Sequence, residues 1–456
     1  METRLSPVME EIKAIFTDGP KNVNWVWKCD FLTMGTKHDP MRTFNIDINR
    51  NYSENYADDI DIEIQMAPSQ YLDYVYPNRQ NLTVTLYQIP LNEDGTEDWT
   101  TTRYAQTYRG YVKGAKDIKL TPDREQGTSQ DLDQGGPIVV PFQLSSKALE
   151  QLRLKIEGGN FRGKVPGMVL KAMFDNSAAS MKVDGARVID GVDMVPPDNL
   201  NTRDVMMVPH GKMLIELPSL FQEKLGGVYN SGIGFYLQDD HWYIWPKYAT
   251  NRQEKAKQVL TIFDVPSNQF PGVERTYRET AGQVIMISTG KSSNHDDSET
   301  LDLNLGNGIR FTDANAMLDG YIHVEGNKAI ARRGVASSEF VDAARDTGIN
   351  FAPLAKDGIT SNPFKMASRL APRKGMVMQF TWENANPFLL YPGMQVKVFT
   401  PRDGKLEERT GVLSAAQYLI SPKGKTNKNS QQVCVGHLAV FVSRATSVDK
   451  LPDIPT

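Results

Sequence analysis

The sequence predicts an α+β protein that is mostly β. Three observations carry this: stretches near both ends alternate apolar and polar residues with a period of two, helix-spaced apolar residues cluster in the middle, and a short aromatic hairpin signal follows them. At 456 residues and 51.1 kDa the chain is long enough for roughly three domains.

The first element is a helix starting at Ser6 as N-cap and Pro7 at the first helical position, with Val8, Ile12 and Ile15 on one face. Its acidic start, Glu10 and Glu11, is the wrong chemistry for a transit peptide. Residues 22–120 then read as short strands. Thr43–Asn49, Asp59–Ile64 and Leu82–Tyr87 alternate, which places Phe44 and the Ile side chains on one sheet face and the carboxylates on the other. A longer strand runs from Arg103 to Val112 with three tyrosines, and strands at this spacing form a small antiparallel barrel or sandwich. The polar, Gly-rich stretch from Gln126 to Pro141 reads as a boundary loop.

Helical spacing follows. Ser145 or Ser146 caps a helix carrying Leu149, Leu152 and Ile156 that Gly158-Gly159 ends. A second helix begins near Pro166 with Val169, Leu170, Met173 and Phe174, and a third near Pro218 stops at Gly226-Gly227. Gly232–Leu237 and Trp242–Trp245, joined by Asp239-Asp240, read as a hairpin. Strand patterning returns at Val259–Val265, Gln283–Ser288, Leu301–Leu305 and Tyr321–Val324, interrupted by the acidic loop Ser292–Thr300. From Arg332 to Arg373 the pattern is loose, with one helix expected from Ser337 through Phe340, Val341 and Ala344. Met376–Phe380 and Gln395–Phe399 flank a Pro392-Gly393 loop, a further hairpin turns at Arg402-Asp403-Gly404, and Pro422–Lys428 joins the last two strands.

Composition narrows the function classes. A net charge of -4 removes the whole-protein field that a general nucleic-acid binder uses, since each neutralised phosphate needs a cation. No apolar run reaches membrane-spanning length, so no membrane insertion is expected. Cys29 and Cys434 form no CxxC pair and read as reduced residues of a protein made in a cytoplasm. The glycosylation patterns at Asn51 and Asn81 read as chance matches.

Searches for catalytic chemistry return no assembled site. Thr289-Gly290-Lys291-Ser292 has the tail of a phosphate-binding loop, but Ile285 stands where a glycine is needed. His323-Val324-Glu325 matches half of a zinc deaminase signature without its cysteines. His295-Asp296-Asp297 and Asp239-Asp240-His241 pair carboxylates with an imidazole, yet both fall at turns, where Asp serves backbone hydrogen bonding. Asp58, Asp59, Asp61 and Glu63 form the densest carboxylate run. A glycosidase needs two carboxylates facing across a cleft, whereas 59, 61 and 63 share one strand face, so a solvated or interface-facing surface is the reading. Accordingly no catalytic residue, metal or cofactor is assigned. In the aromatic hairpin Trp242 and Ile244 point one way, Tyr243 and Trp245 the other, which places the strand in a packed core or at a subunit contact. The candidate interface residues are therefore Trp242, Tyr243, Trp245, Asp59, Asp61 and Glu63.

Three tracts carry a family resemblance. Leu220–Tyr248 (LFQEKLGGVYNSGIGFYLQDDHWYIWPKY) resembles the central part of baseplate hub proteins of contractile-tailed bacteriophages. Phe44–Tyr87, with Tyr71–Pro77 between alternating strands, is similar to the first tube-like barrel of such hubs, and Tyr391–Val396 with Gly411-Val412-Leu413 is similar to a β-domain phrase of tail proteins. The resemblance implies two tube-like antiparallel β-barrel domains with an inserted α+β region and a C-terminal β-domain. The corresponding segments are 1–140 (helix and first barrel), 141–255 (α+β), 256–375 (second tube-like region) and 376–456 (C-terminal β, completing the second barrel). It further implies a homotrimer whose six barrels adapt the six-fold tail tube to a three-fold central spike. Partners would be tail tube, spike and baseplate wedge proteins, with DNA passing the lumen unbound, in virions assembled in the host cytoplasm. A tail-borne cell-wall hydrolase and a receptor-binding module stacking glycans on Trp242 and Trp245 are the alternatives. If the acidic strand face is solvated, replacing Asp59, Asp61 and Glu63 together with alanine leaves folding largely intact, read as a melting temperature shifted by only a few degrees.

Overall fold

The computed structural model describes residues 7–17, 24–33, 35–79, 82–92, 94–101, 104–114, 136–183, 186–265, 276–288, 293–295, 309–313, 322–325, 328–331, 337–341, 362–402, 405–422, 432–443 and 446–448. After a helix over Pro7–Thr17, seven strands follow: β1 (Trp25–Thr33), β2 (Thr36–His38), β3 (Arg42–Asn51), β4 (Asp59–Met66), β5 (Leu82–Pro90), β6 (Tyr104–Val112) and β7 (Ile138–Ser146). The middle holds helices Lys147–Leu154, Pro166–Ser180 and Leu217–Glu223, with β8 (Ile156–Lys164), β9 (Lys182–Val183), β10 (Ala186–Arg187), β11 (Gly191–Met194), β12 (Arg203–Met213), β13 (Ile233–Gln238) and β14 (His241–Pro246). The remaining strands are β15 (Val259–Asp264), β16 (Tyr277–Thr280), β17 (Gln283–Ser288), β18 (Ser293–His295), β19 (Ile309–Asp313), β20 (Ile322–Glu325), β21 (Lys328–Ala331), β22 (Ser337–Val341), β23 (Met376–Glu383), β24 (Gln395–Arg402), β25 (Lys405–Pro422), β26 (Gln432–Val442) and β27 (Thr446–Val448).

One hydrogen-bonded sheet of 16 strands runs through both ends of the chain, in the order β16-β17-β15-β24-β25-β3-β4-β7-β6-β5-β1-β2, with β18, β23, β26 and β27 attached beside that path. The seam between the N-terminal and C-terminal strands is the antiparallel pairing of β25 with β3, from Ala415 opposite Asn51 to Ile420 opposite Ile46. The 18-residue β25 also pairs with β24, β26 and β27, so it organises the C-terminal strands as well as the seam.

No closed barrel is found among the described strands, so the two tube-like antiparallel barrels expected from the resemblance are not confirmed in that detail. The N-terminal sheet curls until β1 approaches β3 and β26 through side chains. Cys29 Sγ lies 3.4 Å from the Thr43 hydroxyl, and the Trp27 amide donates to Gln432 Oε1 at 2.6 Å. Nor is the sheet wholly antiparallel, because β15 runs parallel to both β17 and β24. The sequence of β15 explains this: a strand buried on both faces reads as a continuous apolar run. Leu260 and Ile262 join the main core, and Phe263 faces a separate cluster with Ile285, Ile287 and Phe399. Ile12 and Phe16 of the first helix cover that second cluster, Phe16 meeting Phe263 edge-on at 6.1 Å, so the helix serves the C-terminal strands.

The alternation in β3 and β4 holds with one shift. Ile48 lies opposite Ile60 and Ile46 opposite Ile62, all facing the main core, where each buried side chain contributes about 1.5–3 kcal/mol. Between Thr43 and Ile46 a bulge sets two residues of β3 against one of β4. Thr43 therefore takes the inward place, and Phe44 is left half-buried beneath the Arg42 guanidinium, 5.1 Å from its ring centre.

Two helix expectations are corrected. The helix over Lys147–Leu154 buries Leu149 and Leu152 but ends before Ile156, which opens β8, and the two glycines lie within that strand. Gly158 lets the backbone of His210, in a bulge of β12, lie across it: an added Cβ would stand 2.8 Å from His210 Cα. Strand pairing thus captures residues whose spacing alone is helical. Residues from Ser337 form β22, paired with β19, and not a helix. The helices at Pro166 and Pro218 and the hairpin β13–β14 stand as the sequence predicts, the hairpin turning on Asp239 and Asp240 at φ 50° and 57°. Leu301–Leu305, the 289–292 tract, Asp296-Asp297, Ser6 and most of the 126–141 loop lie outside the described residues.

Gly393 has φ +71°, and a Cβ there would stand 2.2 Å from Trp245 Cγ. Gly393→Ala should therefore lower stability by roughly 2–4 kcal/mol through combined backbone strain and overpacking, measured by urea denaturation.

Candidate functional site

The aromatic hairpin joins two cores. Trp242 and Ile244 face the helical core, where Trp242 stacks on Phe174 at 5.0 Å, while Tyr236 and Trp245 face the main β core. The alternating reading of this strand is what the structure shows. Trp242 is fully buried and Trp245 is 3% exposed, so both indoles are internal packing, which corrects their candidacy as contact surface. Tyr243 is half-buried and stacks with Tyr391 at 6.1 Å.

Beneath the hairpin lies a buried charge that the motif searches passed over. Arg50 follows Ile46 and Ile48 in the inward phase of β3 and is 0% exposed. Its Nε donates to Asp58 Oδ2 at 3.0 Å, its Nη1 donates to the Pro387 carbonyl, and its guanidinium lies over Phe388 and Tyr418. Asp58 also accepts from the Tyr236 hydroxyl at 3.1 Å. Tyr52 donates to Gln238, whose amide reaches the Leu390 carbonyl at 2.8 Å. One network therefore ties β3, the hairpin and the Pro387–Leu390 segment. Burial pushes the Asp58 carboxyl up to about 6, against the opposing pull of Arg50. Burial likewise holds Tyr52, Tyr104, Tyr108, Tyr236 and Tyr418 above the ordinary phenol range, so their hydroxyls stay protonated. Asp58 was visible only as part of a carboxylate run. The signal for Arg50 was its inward phase, where an isolated charge demands a partner.

Two surface features flank this network. A cleft of about 630 Å³ separates the middle region from the C-terminal strands, walled by Pro196, Pro197, Tyr243, Trp245, Tyr391 and Pro392. Four of the charges at its rim pair with one another, Arg252 with Asp198 and Lys257 with Asp193 at 3.0 Å, and Glu254 adds a further carboxylate to an otherwise proline-rich trough. On the outer face of the sheet, Asp59, Asp61 and Glu63 point away from the core but are half-buried. Gln143 donates to Asp59 at 2.8 Å, Asn45 donates to Glu63 at 2.6 Å, and Lys113 pairs with Asp61. The shared face is as read from the alternation; it is hydrogen-bonded as well as wet.

The other singled-out groups stay apart. Asp239 and Asp240 form the hairpin turn, with Asp240 accepting from Gln106 at 2.6 Å and His241 Nδ1 lying 3.2 Å from the Asp239 carbonyl. His295 and His323 lie in separate strands, β18 and β20. Among the described residues no three His, Cys, Asp or Glu side chains converge as a metal site, and both cysteines are free.

Asp58 carries a raised value in the fold, so the native protein holds a proton there that the unfolded chain releases near 3.8. Its proton-linked stabilisation is complete below about pH 4 and is lost as pH rises through about 6. Asp58→Asn should abolish that component, and the stability difference between wild type and variant should decline from pH 4 to pH 7 in urea titrations. Arg50→Ala should cost roughly 3–5 kcal/mol at pH 7, because it strands a buried carboxylate, and less in acid, where that carboxyl is protonated.

No protein-family model matches the chain, and no curated protein matches it in sequence. Its structure is similar to a tail protein from Neisseria meningitidis MC58, at 13% identity and a TM-score of 0.45, over 91% of this chain and 96% of that one. It is also similar to the 43 kDa tail protein of prophage MuSo2 from Shewanella oneidensis, at 10% identity and a TM-score of 0.44, over 91% and 98% of the two chains. A component of the E. coli type VI secretion system that is itself structurally similar to bacteriophage tail proteins matches at 9% identity and a TM-score of 0.37, over 90% and 76%.

Proposed function

We propose that this chain is a virion structural protein of the tail, the baseplate hub at the end of the tail tube. One observation carries the reading: each chain sets two groups of strands side by side in one continuous sheet, joined at the β3–β25 seam. A homotrimer would then present six such groups in a ring, matching a six-fold tube on one side and a three-fold central spike on the other. The sequence resemblance of 220–248 and 44–87 to hub proteins supports the same assignment. In this reading the middle region braces the two strand groups through the Arg50 network, and surrounding wedge proteins contact the outer surface. DNA passes a lumen that the net charge of -4 does not make adhesive. The chain acts by assembly and not by turnover, and its place is the virion baseplate, built in the host cytoplasm.

The test is the mass in solution by light scattering across a concentration series, repeated with tail tube and spike proteins. The expected species is three times 51.1 kDa, alone or once the spike is added. A strict monomer indifferent to both partners would overturn the hub reading and put peptidoglycan turnover and glycan binding first.

A further inference from the structure

Strands β8 and β12 form a two-stranded ribbon outside the large sheet. Its inner face is ordinary: Met206 and Val208 are buried in the helical core, with Phe161 packed against them. Its outer face is not. Val205 is 59% exposed, Met207 63%, Ile156 58% and Met213 46%. In register with these, Arg162 stands opposite Val205, Lys164 opposite Arg203, and Ile156 opposite Met213. Directly opposed residues share a face, so three cations and four apolar side chains lie together. The carboxylates of the ribbon, Glu157 and Asp204, fall in the other phase.

The opposite chemistry occurs on the outer face of the seam. Leu419, Asp47, Asp61 and Gln143 form one row across β25, β3, β4 and β7. Like charges directly opposite one another destabilise a strand pair, yet Asp47 faces Asp61, with Lys113 on Asp61 and Gln417 donating to Asp47. Beside them a groove of about 310 Å³ holds Glu63 and Pro141, and Leu419 is 41% exposed on its rim. Asp47, Asp61 and Glu63 line that groove with one ammonium group, that of Lys113, which pairs with Asp61.

We propose that the ribbon of one copy seats on the acidic seam face of the next copy. Arg162 and Lys164 would meet Asp47 and Glu63, while Val205 and Met207 cover Leu419. The occupant is a second copy because the two complementary surfaces are both carried by this chain. They are different surfaces, so the contact is head-to-tail, the kind that closes a ring when the rotation permits. The contact deepens the proposed hub assembly and rests on that reading only for the existence of an oligomer.

The experiment is charge exchange, read by sedimentation velocity of the full chain, with circular dichroism confirming that each variant is folded. Arg162→Glu with Lys164→Glu, or Asp47→Lys with Glu63→Lys, should each weaken self-association by roughly tenfold or more, and one chain carrying all four changes should recover it. As a second measurement that leaves the charges intact, a Met207→Cys and Leu419→Cys chain should cross-link between copies under mild oxidation. Reversed chains that associate as wild type does, or no cross-linked oligomer, overturn the contact and leave the hub assembly standing. A chain monomeric with and without tail partners overturns both.

Discussion

Arg50 has a permanent charge and no access to water, and the surrounding architecture follows from that constraint. A guanidinium enclosed this way needs an anion, further acceptors and polarisable faces, and here they come from three separate stretches of chain. Asp58 follows β3, Pro387 and Phe388 precede β24, and Tyr418 belongs to β25. Tyr236 of the hairpin then shares the Asp58 carboxylate. Any arrangement that parts the middle region from the seam exposes this charge or strands its partners. A buried ion pair is weak evidence of stability, as the raised Asp58 carboxyl itself indicates, but it is strong in selecting one arrangement over its neighbours.

Much of the fold was legible because strands and helices here bury one face each. The period of two in Asp59–Met66 is reproduced residue by residue in its burial, and the helix at Pro166 buries Val169, Leu170, Met173 and Phe174 together. The departures have a common cause in long-range pairing. Ile156 and Gly158 are drawn into β8 by β12, more than fifty positions away, and β15 lies parallel to neighbours that come from two later segments. Phe44 misses the core because a bulge changes phase, which composition does not announce. The candidate carboxylates share a face as the alternation required, whereas Trp242 and Trp245 are enclosed because the hairpin separates two cores. The Arg50–Asp58 pair was hidden by motif searching, which looks for groups close in sequence around a reaction.

The two outer surfaces show how one chain divides its labour. On β4 the great sheet keeps its isoleucines inward and its carboxylates outward, whereas the β8–β12 ribbon turns Val205, Met207 and Ile156 toward solvent beside its cations. Two-stranded ribbons gain little from their own hydrogen bonding, and this one stands on Met206 and Val208 as its footing in the helical core. Rigid footing with an apolar, charged tip is a geometry suited to contact between large bodies.

The seam between β3 and β25 also has a temporal side. Gln417 reaches Asp47 across 370 positions of sequence. At ribosomal rates of about 5–20 residues per second, β3 waits on the order of 20–75 s for its partner strand to be synthesised. Throughout that interval the N-terminal sheet carries an open edge, with Arg50 lacking Pro387, Phe388 and Tyr418. A nascent chain in that condition is a target for holding factors and for premature strand exchange with its siblings. Completion of β25 is then the moment at which the molecule becomes safe to crowd together with other copies of itself.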